Sequence, residues 1–227
     1  MINRGRSAGD SAFAIIGTMF KNRLDAADQL ARALEVYRGQ HPLVLGIPRG
    51  GVVLAHRIAQ VLEGDLDVVM VRKIGAPGYA EYAIGCVTED GQVFLNPAGP
   101  DVDQAYVESV VHDEMKTMRR RRLQYGKGQP SVPIKDRTVI VVDDGVATGA
   151  TMLGALHGLR SRQPKRIVLA VPVAPPDTAM TLCAEVDDCV ILEKPPYFQG
   201  VGQFYEDFGE TTDDTVIRLL ADAHREG

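Results

Sequence analysis

Two adjacent carboxylates, Asp143 and Asp144, close an apolar run and lead into a turn built from Gly145, Ala147, Thr148, Gly149, Ala150 and Thr151, within VIVVDDGVATGATM at 139–152. Carboxylates accept from vicinal hydroxyls, while small residues let backbone amides, with the hydroxyls of Thr148 and Thr151, surround a phosphate. The pairing suits a phosphorylated sugar. A plain strand-turn-helix with the acids as turn formers is the blander alternative, and the density of acids, threonines and small residues argues against it. Rival phosphate loops fail letter by letter: a Walker loop needs Lys where Ala150 stands, and no strand-to-helix turn supplies G-x-G-x-x-G.

Weaker groups accompany this one. GIPRGG, 46–51, sets Arg49 before Gly50 and Gly51, which permit close backbone approach at a helix start, although a plain turn would accept the same residues. Arg72 and Lys73 put two cations at the carboxyl end of an apolar run. Gly75, Pro77 and Gly78 follow, in a weakly packed stretch, 74–84, able to move as a lid and containing Glu81. Tyr197, Phe198, Phe204, Tyr205 and Phe208 crowd one short segment of a chain with seven Tyr, six Phe and no Trp. Such rings either stack on a flat ligand or pack in a core or subunit interface. Arg119, Arg120, Arg121 and Arg122 end a helical pattern, where cations favour the dipole, and are read as a solvated helix end against a nucleic-acid or substrate role. Cys86, Cys183 and Cys189 form no C-x-x-C pair and are read as reduced packing residues.

These groups need a scaffold that brings distant turns to one edge. Short Val- and Ile-rich runs at 43–47, 67–71, 138–142, 166–171 and 188–192 read as strands buried on both faces. Helical patterns over 21–38, 51–62, 102–125, 150–162 and 176–184 flank or separate them, which predicts an α/β fold with a parallel sheet and right-handed crossovers. Two β-like runs around Asp90-Gly91 predict a hairpin at the sheet margin. Residues 1–19 lack a sustained period and are read as a flexible leader, leaving 20–227 as a single domain. With 45% hydrophobic and 24% charged residues the chain is globular, and 25 Lys and Arg against 30 Asp and Glu, a net charge of −5, argue against wholesale wrapping of nucleic acid or an anionic membrane. No run approaches the ~18 apolar residues of a membrane span, and no secretory signal opens the chain, so a cytoplasmic location is expected.

The 139–152 segment resembles the phosphoribosyl pyrophosphate (PRPP) motif of type I phosphoribosyltransferases, and its form DDxxATGxT is most similar to the adenine phosphoribosyltransferase version. From about Phe20 to Leu220 the chain looks like bacterial phosphoribosyltransferases of unassigned acceptor. That resemblance implies a central, mainly parallel sheet flanked by helices, a mobile loop or hairpin, and a small hood from 20–40 and 195–227. It implies that Asp143, Asp144, Gly145, Ala147, Thr148, Gly149, Ala150 and Thr151 hold ribose 5-phosphate. Gly50 and Arg49 would then meet the diphosphate, with Arg72 and Lys73 as the family's basic pair. Magnesium is the implied cofactor, at Asp143 and Asp144. Glu81 is either a proton donor or acceptor or a solvated loop residue, and Tyr197 and Phe198 face the acceptor. The implied reaction is transfer of the phosphoribosyl group to a nitrogen nucleophile, a nucleobase above all, with release of pyrophosphate in nucleotide salvage; a homodimer is compatible. Ala147 stands where hypoxanthine/guanine enzymes carry an acid, which disfavours a 6-oxopurine and leaves adenine, a pyrimidine or another amine. The alternative is a non-catalytic PRPP sensor that binds RNA or DNA.

Overall fold

The protein is described from a computed structural model covering residues 19–96, 99–126 and 131–226; most of the expected leader lies outside the described residues. The first helix, α1 (Arg23–Ala33), starts where Asn22 accepts from the amides of Leu24 and Asp25, each at 3.0 Å, satisfying donors the helix cannot. It buries Ala27, Leu30 and Ala31 and stops sooner than the periodicity predicts, passing into a short 3-10 turn at Glu35–Tyr37.

The chain then alternates. β1 (Leu43–Gly46), α2 (Gly50–Leu62) and β2 (Asp65–Val68) are followed, beyond an insertion, by β6 (Thr138–Val142), α4 (Ala150–Ser161), β7 (Arg166–Val173), α5 (Pro176–Cys183) and β8 (Asp188–Glu193). Their strands form one parallel sheet in the order β2-β1-β6-β7-β8. Strand residues alternate between two cores. Val44, Ile140, Val142, Val168 and Ala170 pack with α1 and α2 on one face. Leu43, Leu45, Val139, Val141, Ile167 and Leu169 pack with α4 and α5 on the other, as expected of strands covered on both sides.

The insertion corrects two expectations. The stretch expected to be a mobile loop is a hairpin, β3 (Val71–Ala76) and β4 (Tyr79–Thr88), turning at Pro77-Gly78 with Gly78 at φ 77°. Proline and a left-handed glycine mark a tight turn as readily as a loop. The Asp90-Gly91 turn does join β4 to β5 (Val93–Leu95), but these strands form a separate antiparallel sheet, β3-β4-β5, and not a margin of the parallel one. Gly154 and Gly158 of α4 let β4 settle on that helix, since a Cβ at either would overlap Cys86 or Thr88.

α3 (Gln104–Gly126) carries the arginine run, and α6 (Asp213–Glu226) packs beside it, with the Tyr125 hydroxyl donating to Asp213 at 2.6 Å. Arg122 is not solvated: it donates to Asp67 (2.6 Å), Glu89 (2.8 Å) and the Val68 carbonyl (2.9 Å), joining α3 to β2 and to the end of β4. The cysteine expectation is also corrected. Cys183 and Cys189 form a disulfide, because the end of α5 and the start of β8 bring their Cα atoms within 5.4 Å, and Cys86 alone is a free, buried thiol. Among the described residues no helix is long and apolar enough to cross a membrane.

Candidate active site

The sheet changes winding direction between β1 and β6. From β1 the chain crosses by α2 to β2 on one side, and from β6 it crosses by α4 and α5 to β7 and β8 on the other. The crevice beyond the carboxyl ends of two such strands is where open α/β sheets bind ligands. Both phosphate-loop candidates lie there: 46–51 follows β1, and 143–151 follows β6. They touch, since the Ile47 amide donates to the Val142 carbonyl at 2.9 Å and a Cβ on Gly51 would stand 2.6 Å from that same oxygen.

β6 delivers the acid pair into this crevice. The Asp144 amide donates to Asp143 Oδ1 at 2.9 Å, and burial, reinforced by the Asp144 charge, raises the Asp143 carboxyl well above the usual range. Burial raises Asp144 too, opposed by Arg23, whose Nε donates to Asp144 Oδ2 at 2.8 Å. Gly50 meets the same carboxylate so closely that any Cβ there would overlap it. At the turn, Gly145 leaves room for Val201 and Val173, and Gly149, at φ 80°, bends the chain into α4. Thr178 of α5 braces the turn by donating to the Ala147 carbonyl at 2.9 Å, while Ala147 and Thr148 are exposed and Ala150 and Thr151 half-buried.

Neither α4, which begins at Ala150, nor α2, which begins at Gly50, has a side-chain cap on its first-turn amides. Two helix N-termini therefore open into one crevice on either side of two carboxylates, an arrangement able to take an anion at each end of a polyol. Arg49, at the entry of α2 after a cis Pro48-Arg49 peptide, pairs with Glu210 at 2.9 Å.

Other expected residues stand differently. Arg72 and Lys73 lie within β3, not at the carboxyl end of a parallel strand, because β2 ends at Val68 and the chain turns at once into the second sheet. Arg72 donates to Glu114 of α3 at 2.7 Å, and Lys73 is exposed. Glu81 belongs to β4, in a strand where a loop was expected. Phe198 packs on Phe204, with ring centroids 5.3 Å apart, whereas Tyr197 is 76% exposed. The remaining rings are packing residues: Tyr205 lies between Phe20 and Phe208, with centroids at 5.4 and 4.9 Å.

The sequence reading missed Arg23 and Glu210, and it named Tyr205 only as one ring of the aromatic segment. The Tyr205 hydroxyl donates to the Asp144 carbonyl at 2.6 Å, and burial pushes that phenol well up. One signal pointed to Arg23. An arginine opening a helix faces an unfavourable dipole and calls for a compensating acid.

An α/β sheet whose winding reverses beside two adjacent carboxylates, with a strand-to-helix turn on each side, marks out a class of protein, and the relatives of this chain name it. The family model described as phosphoribosyl transferase domain matches residues 17–207, and the chain belongs to that family. A Mycobacterium tuberculosis H37Rv protein, provisionally named a phosphoribosyl transferase, is 38% identical over 211 residues, 92% of this chain and 48% of its own length. The chain thus spans about half the length of the curated relatives it matches. The crystal structure of TT1426 from Thermus thermophilus is 44% identical with a TM-score of 0.80, covering 90% of this chain and 99% of that one.

Proposed function

We propose that the chain is a phosphoribosyltransferase that takes PRPP and a nitrogen nucleophile, a nucleobase above all, and releases pyrophosphate. The observation that carries this reading is the pair of uncapped helix N-termini, α2 at Gly50 and α4 at Ala150, flanking Asp143 and Asp144 in one crevice. PRPP has the matching outline, with a diphosphate, two vicinal hydroxyls and a 5-phosphate in that order. The 147–151 turn would hold the 5-phosphate, the acid pair the hydroxyls, and Gly50 with Arg49 the diphosphate.

In the reaction the nucleophile forms a bond to the anomeric carbon while the bond to pyrophosphate breaks, its electron pair leaving with pyrophosphate. Positive charge grows on the sugar ring and negative charge on the leaving group. Asp143 and Asp144 offset the first, and the α2 amides and Arg49 the second, with Arg72 and Lys73 as further cations from β3. Glu81 of β4 is assigned the acceptor's proton, and Tyr197 and Phe198 the acceptor's ring. Among the described residues no group of three or more His, Cys, Asp or Glu could hold a metal alone. Two carboxylates nevertheless suit magnesium, a hard ion that keeps waters and takes substrate phosphates. When bound, it would neutralise charge on the diphosphate; Asp143 and Asp144 are the residues to hold it.

A non-catalytic regulator draws no support from the family, and Arg122 of the arginine run is spent on Asp67 and Glu89. Cytoplasmic nucleotide salvage by a homodimer belongs to the same proposal. Calorimetry with magnesium should show ribose 5-phosphate binding and PRPP binding tighter, and a pyrophosphate-release screen across bases and amines should find an acceptor. Failure of both ligands to bind at millimolar concentration would sink the reading.

A further inference from the structure

Arg23 lies 121 residues from the acid pair in sequence, yet its side chain is only 13% exposed and makes three engagements at once. Nε donates to Asp144 Oδ2 at 2.8 Å, Nη1 donates to the Gly209 carbonyl at 2.6 Å, and the guanidinium carbon stands 3.9 Å from the centre of the Phe208 ring. The backbone around it is pinned to the same segment. The Phe20 amide donates to the Phe204 carbonyl (2.8 Å), Glu206 to Phe20 (2.9 Å) and Asp207 to Lys21 (3.0 Å). Tyr205 reaches back from that segment to the Asp144 carbonyl. The 20–23 and 204–209 segments thus converge on Asp144, Arg23 at its carboxylate and Tyr205 at its main-chain carbonyl.

The geometry points to Arg23 as the positioning residue for ribose recognition: held by Phe208 and Gly209, it fixes the Asp144 carboxylate in the orientation that accepts a sugar hydroxyl. This inference rests on the proposed PRPP site and adds to it a residue outside every recognised motif. A carboxylate on a free side chain must give up rotamer freedom when it meets a hydroxyl, whereas one held by a buried guanidinium has already done so. The planar fork matters as well as the charge, because Nε and Nη1 address two different acceptors that a lysine ammonium could not reach in the same geometry. Close packing leaves Asp144 little alternative, since Gly50 lies against the carboxylate on another side.

Calorimetry on the full chain with ribose 5-phosphate, 2-deoxyribose 5-phosphate and 3-deoxyribose 5-phosphate tests the role. Wild type should prefer ribose 5-phosphate over at least one deoxy sugar by tenfold or more. Arg23→Met should cut that preference to about twofold or less, while Arg23→Lys, which keeps the charge and one donor, should restore part of it. A merely structural role would lower thermal stability and leave the preference intact in the folded fraction, and that result overturns the inference. Should Arg23→Met not fold, Arg23→Gln reads the same ratio: a lost preference supports the role and an intact one overturns it. If wild type binds none of the three sugars, the underlying site assignment falls and this inference with it; if wild type discriminates and the variants discriminate equally, only the role of Arg23 falls.

Discussion

Gly154 of α4 lies against Cys86 of β4 with no space between them for a side chain. The contact seats the antiparallel sheet on the helix that follows the 143–149 turn, and Gly158, one helical turn on, does the same opposite Thr88. Burial pushes the Cys86 thiol up to about 11, so it serves here as a small packing group.

Gly154→Ala should therefore destabilise the protein although alanine favours helices. The helix gains up to about 1 kcal/mol in propensity, but overpacking a tight interface costs roughly 1–3 kcal/mol. Denaturant unfolding should show a net loss, and Cys86→Ala in the same chain should recover part of it. A more stable Gly154→Ala variant would mean that β4 does not rest on α4 as described.

Asp143 offers a test with a definite sign. Its carboxyl is raised by burial and by Asp144, so the folded state holds this proton more tightly than the unfolded chain does. The group therefore favours folding below the ordinary carboxylate value, and that contribution is lost as pH rises through the raised folded value. At pH 7 its buried charge weighs against the fold. Asp143→Asn keeps the size and an acceptor for the Asp144 amide, and should stabilise the protein at pH 7 because it removes a buried charge. Ribose 5-phosphate affinity should fall in the same variant. A less stable variant at pH 7 contradicts the assignment.

The arginine run divides into two kinds of residue. Arg122 serves the buried carboxylate of Asp67, which also accepts from the Val132 amide at 3.0 Å, whereas Arg119 and Arg120 are exposed. Removing one partner of a buried pair leaves an uncompensated charge, so Arg122→Met should cost roughly 3 kcal/mol or more. Arg120→Ala should change stability by no more than about 0.5 kcal/mol. Equal effects in thermal denaturation would put Arg122 among the solvated arginines.

What the sequence made legible was local. β6 could be read to the residue because Thr138–Val142 is an uninterrupted β-branched run ending at two acids, and α2, α4 and α5 to within a residue because each fills the interval between two apolar runs with a helical pattern. The turns after β1 and β6 were visible because each is contiguous in the chain. Contacts made only by folding were not: Arg23 meets Asp144 across 121 residues, and Cys183 meets Cys189 only because α5 and β8 place them side by side. The hairpin at Pro77-Gly78 was misread as a loop because turn residues look alike in both settings.

The two rings that close the last strand's loop can be separated by stability and kinetics. Phe198 packs on Phe204 and the core beside α1 and α2, so Phe198→Ala should lower stability by roughly 1–3 kcal/mol, less than a fully buried ring would cost. Tyr197 makes no ring contact among the described residues, and its main-chain carbonyl accepts from Gln203 at 3.1 Å. Truncating its exposed side chain should leave the melting temperature unchanged. If that ring stacks on a planar acceptor, Tyr197→Ala loses about 1–3 kcal/mol of acceptor binding, a rise of about fivefold to over a hundredfold in the acceptor's KM, while PRPP binding stays within twofold. Steady-state kinetics with the acceptor found by the pyrophosphate-release screen measures both. An unchanged acceptor KM in Tyr197→Ala, with Phe198→Ala losing only stability, would remove both rings from the acceptor site and leave the rest of the crevice to choose the nucleophile.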